Sequence, residues 1–175
     1  MMKPTLIFLL FLKILCSNQP SSTIPVSTYS IVAYDPKTGQ LGVAVQSHWF
    51  SVGFLVPWAK AGIGAVATQS FVKVEYGPDG LGLMEQGLTS DQALEVLLKE
   101  DKAKDVRQVA MVDINGNVAV HTGSKCIYAA GHYVGKNYSV QANMMEKESV
   151  WSAMSHAYEN TAGDLADRMM AALEA

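Results

Sequence analysis

Cysteine is scarce: Cys16 sits in an apolar N-terminal stretch, and Cys126 stands alone in everything that follows. If that stretch is removed near Ser17, no internal disulfide can form, and stability has to come from a packed core that 175 residues are enough to bury. Between Lys125 and Ile127, Cys126 reads as a partly buried structural thiol rather than a nucleophile. Charge is sparse as well, with 17% charged residues and a net charge of −3, so no basic field is available for nucleic acid or an anionic membrane surface. The four histidines, His48, His121, His132 and His156, form no i,i+4 pair, and neither HExxH nor a paired CxxC occurs, so no metal is expected. A GxSxG elbow, a GxxxxGK[ST] loop and a GxGxxG run are all missing. Their absence disfavours α/β-hydrolase and P-loop chemistry and leaves no expected cofactor.

What the chain has is a long sheet-forming block, Thr28 to Ser70. Thr28, Ser30, Val32 and Tyr34 alternate with Tyr29, Ile31, Ala33 and Asp35. After the Pro36–Gly39 turn, Leu41, Val43 and Val45 alternate with Gly42, Ala44 and Gln46. Period two on both sides of a turn predicts a β-hairpin. Phe54–Trp58 and Ile63–Thr68 predict a second pair of strands, and Tyr76–Gly80 reads as a turn opening a short helix over Leu81–Gln86. Thr89 with Gln92 forms a capping box for a helix reaching about Glu100. Val106–Asp113 and Asn117–His121 form a hairpin around Asn115–Gly116, and further strands are expected near Cys126–Val134 and Tyr138–Met144. Ser149–Tyr158 and Leu165–Leu173 read as amphipathic helices. Strands and helices in segregated runs favour an α+β layered domain.

Ahead of the block, Met1–Leu15 carries Lys3 before the apolar run Leu6–Leu12, and the small, polar run Ser17–Ser22 follows Cys16. This resembles a secretory signal peptide. The expected organisation is a signal peptide over 1–17, a Ser/Pro-rich linker over 18–27 and one domain over 28–175. The implied location is secreted or periplasmic, with no membrane association once the leader is gone. Leu15 before Cys16 argues against lipid anchoring, which wants a small residue there.

A hydroxyl residue, Thr28, therefore stands where the domain begins, directly after a removable-looking segment. As a mature N-terminus, Thr28 would carry an α-amino group whose ordinary pKa of about 7.7–8.0 suits a general base. One residue would then supply both nucleophile and base. The other reading is an ordinary β-branched strand residue.

The motifs TYSIVAYDPKTGQLGVAVQS, VGFLVPWAKAGIGAVATQS, YGPDGL, VRQVAMVD and YSVQANMM run in order from Thr28 to Asn143. In them the chain resembles domain-of-unknown-function family 1028, which is placed among the Ntn-hydrolase-like folds. The resemblance implies a four-layer αββα sandwich with two antiparallel sheets, and a first strand beginning at the nucleophile position, matched by Thr28. It also implies substrate-binding roles for Gln46, Ser47 and His48 at the end of the second strand. Lys60 would be a group that lowers the amine or hydroxyl pKa, and Asn143 an oxyanion donor. Relatives continue into a further strand, so this chain is expected to lack its C-terminal strand. The implied function is a secreted N-terminal-nucleophile amidohydrolase. Its partner would be a small molecule, a peptide or a cell-wall fragment, some relatives being joined to peptidoglycan-binding domains. The reading from another class is a non-catalytic secreted module that binds a small ligand or wall component. Phe50, Phe54 and Trp58 suggest an apolar patch through which copies of the chain would associate into a homo-oligomer.

Overall fold

A computed structural model describes residues 26–175; the leader, Cys16 and most of the linker lie outside the described residues. The fold is mixed α+β. One antiparallel sheet has the order β2 (Gln40–Ser47), β1 (Thr28–Asp35), β8 (Tyr138–Asn143), β7 (Gly131–Gly135), the other β3 (Pro57–Lys60), β4 (Gly64–Ser70), β5 (Arg107–Asp113), β6 (Val118–Thr122), and among the described residues four α-helices accompany them.

The first hairpin is the predicted one. Strands β1 (Thr28–Asp35) and β2 (Gln40–Ser47) pair from Thr28 against Ser47 to Asp35 against Gln40. Asp35 closes the turn by accepting from the Lys37 amide and the Thr38 hydroxyl. The second pair is displaced from expectation: Val52–Phe54 forms a 3-10 turn, and the strands are β3 (Pro57–Lys60) and β4 (Gly64–Ser70).

Helix α1 spans Tyr76–Glu85, so the cluster expected as a turn is itself helical. Pro78 falls within the first turn, where its missing N–H costs nothing. The small residues have packing reasons, since the ring of Trp58 lies where a side chain on Gly77 would go, and Met111 closes on Gly80. Helix α2 (Ser90–Glu100) carries both halves of the Thr89–Gln92 capping box. Strands β5 (Arg107–Asp113) and β6 (Val118–Thr122) turn at Gly116, whose φ of +78° a side chain would resist. Asp113 Oδ1 accepts from the Asn115 and Asn117 amides in that turn. Strands β7 (Gly131–Gly135) and β8 (Tyr138–Asn143) follow, and Cys126–Ala130, expected as part of a strand, is loop. Helices α3 (Val150–Asn160) and α4 (Leu165–Glu174) complete the chain.

Period-two alternation divides each strand between two environments. Ile31, Ala33, Tyr138 and Val140 pack under α3 and α4 with Met154, Tyr158, Leu165 and Met169. On the second sheet Val66, Val109 and Met111 pack under α1 and α2. The opposite faces, with Val32, Ala65, Ala67, Ala110 and Val112, meet each other in a third core. The helices thus cover the outer faces while the inner faces of the two sheets form a buried layer between them. Among the described residues no helix is long and apolar enough to cross a membrane.

Candidate functional site

The inner layer changes character toward the start of β1. Past the valines, the inward positions become Ser30 on β1, Gln69 on β4, Gln108 on β5, and Gln141 and Asn143 on β8, all fully buried. Buried amides need partners, and here they find one another.

Two backbone carbonyls orient the cluster. The Gln108 amide nitrogen donates to the Gly131 and Ala142 carbonyls at 3.1 and 3.0 Å, and to Thr122 Oγ1 at 2.9 Å. A carbonyl can only accept, so Gln108 Oε1 faces the other way. It accepts from Gln69 Nε2 at 2.7 Å and from Asn143 Nδ2 at 3.0 Å. Gln69 Oε1 then accepts from the Ser30 hydroxyl at 2.7 Å, and Ser30 accepts from Gln141 Nε2 at 2.6 Å. At the other end, Thr122 Oγ1 accepts from Gln108 and lies within hydrogen-bond distance, 2.9 Å, of His132 Nδ1. Desolvation at the strand edge, with the nearby His121, holds the His132 pKa below the ordinary 6.5.

Thr28 begins at the rim of this cluster. In the sheet it lies between Ser47 on one side and Asn143 on the other, so all three face inward in a row. Thr28 Oγ1 and Ser47 Oγ are 2.8 Å apart, and Ser47 Oγ also accepts the Trp49 amide proton at 3.0 Å. Asn143 is fully buried, and its Oδ1 has no protein partner. Because Gln108 holds the Asn143 nitrogen, the atom left over is an acceptor. Gln108 thus takes one of the two amide N–H groups of Asn143, the expected oxyanion donor, and leaves its Oδ1 unpartnered.

Above Thr28 opens a cavity of about 440 Å³. Its polar lining is Thr28, Gln69 and Ser70; the rest is apolar, including Trp49, Leu55, Val56 and Phe71. Ser70 (φ +70°) and Met144 (φ +55°), both in the wall, and Ser51 (φ +57°), beside the lining residue Val52, adopt left-handed backbone, which non-glycine residues hold at a cost of roughly 1 kcal/mol each. The wall at Phe71 is tied down from outside: Arg107 Nη1 donates to the Phe71 carbonyl at 2.6 Å, and Arg107 Nε donates to Asp101 Oδ2 at 2.9 Å. Burial pushes the Asp101 carboxyl up, but Arg107 and the Ala103 amide outweigh it and hold the group below its ordinary range.

The remaining expected residues fall elsewhere. Gln46 alternates with Ser47 and points to solvent from the other face of β2, and His48 is an exposed loop residue whose amide donates to the Ser27 carbonyl at 3.1 Å. Lys60 pairs with Glu85 at 2.6 Å on the surface. It sits opposite Gly64, at the far end of β4 from Ser70, roughly 20 Å along the strand. Lys60 is not in a position to tune Thr28. Of the aromatic trio, Phe50 and Phe54 are exposed, whereas Trp58 is half-buried over Gly77, its indole donating to the Leu55 carbonyl at 3.0 Å. The Cys126 thiol donates to the Arg107 carbonyl at 3.3 Å, and burial pushes its pKa up, so it is a structural thiol. Among the described residues no group of three or more His, Cys, Asp or Glu side chains is arranged to hold a metal.

Ser30, Gln69, Gln108 and Gln141 were not singled out from the sequence. For Gln69 and Gln108 a signal is visible there all the same: each is a polar residue at an inward position of a strand whose other inward positions are Val or Ala, whereas Gln141 shares its face with Ser139 and Asn143.

The chain from residue 28 to 175 matches the model of a family of unknown function, DUF1028, and belongs to that family. It is similar to protein SPO2555 from Silicibacter pomeroyi, a DUF1028 protein of known crystal structure, at 29% sequence identity and a TM-score of 0.81. The similarity covers 85% of this chain and 66% of that one, so the chain spans just under two thirds of that relative's length. No curated protein matches it.

Proposed function

We propose that this member of the DUF1028 family is an exported amidohydrolase on an Ntn-hydrolase-like four-layer αββα sandwich, with Thr28 as nucleophile. The observation that carries this reading is Thr28 in the lining of a mostly apolar cavity, its hydroxyl 2.8 Å from Ser47 and its strand position opposite Asn143, whose side-chain oxygen is unpartnered. Opening the Ser27–Thr28 peptide bond gives Thr28 a free amine. That amine takes the Oγ1 proton as Oγ1 bonds to the substrate carbonyl carbon, and the proton passes to the departing nitrogen as the C–N bond breaks. Water then hydrolyses the Thr28 ester and restores the hydroxyl. The leader-like residues 1–17 support export.

A specific observation favours a second reading, that of a binding module. Val26 lines the cavity, the Ser27 hydroxyl donates to the Met144 carbonyl at 3.0 Å, and the Ser27 carbonyl accepts from His48. While this clamp stays in place, Thr28 nitrogen is an amide and has no base function, and the cavity can only bind.

The test is the intact mass and N-terminal sequence of the mature protein, followed by amide turnover in wild type and Thr28→Ala. A start at Thr28 and a loss of about 10³-fold or more in turnover on substitution support the hydrolase. A stable start upstream of Thr28 sinks the amine-base mechanism and leaves the binding module.

A further inference from the structure

We infer that the cavity selects an uncharged, apolar acyl group, so that the substrate class is an amide of an aliphatic or aromatic acid rather than a charged peptide or a cell-wall sugar. This rests on the reading of Thr28 as the reacting residue. The inference comes from how the cavity divides its chemistry.

No charged side chain lines the cavity among the described residues. Its polar lining residues are Thr28, Gln69 and Ser70. Of these, Gln69 has its amide oxygen engaged by Ser30 and its nitrogen by Gln108, so little hydrogen-bonding capacity is left for a ligand. The rest of the lining includes Val52, Leu55, Val56, Phe71 and Ile127, whose side chains offer contact area and no hydrogen-bond partners, and Trp49, whose indole adds a single donor. A sugar or an ionised side chain placed there would lose its water without replacement, a penalty of the kind that excludes buried polar groups. An acyl chain loses nothing and gains burial. The volume, about 440 Å³, lies in the range of small-molecule sites. The orientation follows: the carbonyl sits at Thr28 Oγ1, the acyl chain runs along the apolar wall, and the amine portion faces the mouth where Trp49 and Phe71 are 63% and 53% exposed.

The experiment is a titration of the full protein, and of its Thr28→Ala variant, with neutral primary amides of rising length: acetamide, butanamide, hexanamide and octanamide. Affinity is expected to rise by about fourfold per methylene until the cavity is filled; Thr28→Ala, which removes the hydroxyl at the carbonyl, is expected to lower affinity for every amide in the series while keeping the rise per methylene. Leu55→Trp, placed in the wall, is expected to end that rise at a shorter chain. A Kd that stays level from acetamide to octanamide overturns the acyl-group assignment, whatever the mature N-terminus. A rising affinity in protein that begins upstream of Thr28 keeps the acyl site and removes only the hydrolase. Should Leu55→Trp fail to fold, the length series in the wild type decides alone.

Discussion

Along β1, β4 and β5 the residues facing the layer between the sheets change from Val32, Ala65 and Val112 at one end to Ser30, Gln69 and Gln108 at the other. The residues at both ends are fully buried, and the same strands build both. At the apolar end any well-filled arrangement of methyl groups is stable, because dispersion and burial have no direction. At the amide end each donor has a named acceptor, and the orientation of one side chain fixes the next. The difference separates what holds the molecule together from what shapes its site: the first needs only volume, the second needs order.

Cutting the amide chain at its branch point tests that contrast most severely. Gln108→Leu keeps the volume but takes the acceptor from Asn143 Nδ2 and leaves Gln69 Nε2 only its longer bond to the Gln141 carbonyl, all in a buried layer, and a loss of about 4 kcal/mol in unfolding free energy is expected by urea denaturation. Val112→Ala at the apolar end removes two methyl groups and should cost about 2 kcal/mol, with no effect on amide binding in the cavity. If the two substitutions cost the same, the ordered end is no more demanding than the apolar one. A finer probe is the cycle of Ser30→Ala, Gln141→Leu and their double variant, where a coupling of about 1 kcal/mol is expected because one hydrogen bond joins the pair. Additive losses would mean the serine and the glutamine act independently.

The smallest effect is on pH. His132 has a folded pKa below 6.5, so above 6.5 it is neutral in both states and its contribution is complete. As pH falls below 6.5 the unfolded chain takes up a proton that the folded chain refuses, and stability declines toward the folded pKa. His132→Asn should flatten that part of the stability profile between about pH 6.5 and 5. An unchanged slope would place the titrating group elsewhere.

Much of the architecture was legible because it is local. Alternation in Thr28–Ser47, the Asn115–Gly116 reversal and the Thr89–Gln92 box each act over a few residues, and each appears where expected. Tyr76–Gly80 misled because glycine and proline usually mark turns. Here Gly77 and Gly80 are small so that Trp58 and Met111 can close on a helix. The site was legible in part for a related reason. Thr28, Ser47 and Asn143 meet through the register of one sheet, whereas Gln46 was lost to the two-residue period and Lys60 to the length of β4. The amide chain joins residues as far apart in sequence as Ser30 and Gln141, and nothing local announces such a contact.

The amide chain also bears on how the strands find their alignment during folding. Valine and alanine would accept a slip of two residues almost as readily as the native pairing, since the same faces would still meet. Such a slip would bring Val32 opposite Gln141, or Ala67 opposite Gln108, in place of the native pairs Ser30 with Gln141 and Gln69 with Gln108. Every misaligned amide would then be sealed among methyl groups without a partner. The glutamines therefore serve as a lock with one key, rejecting near-native alignments that hydrophobicity alone would let pass.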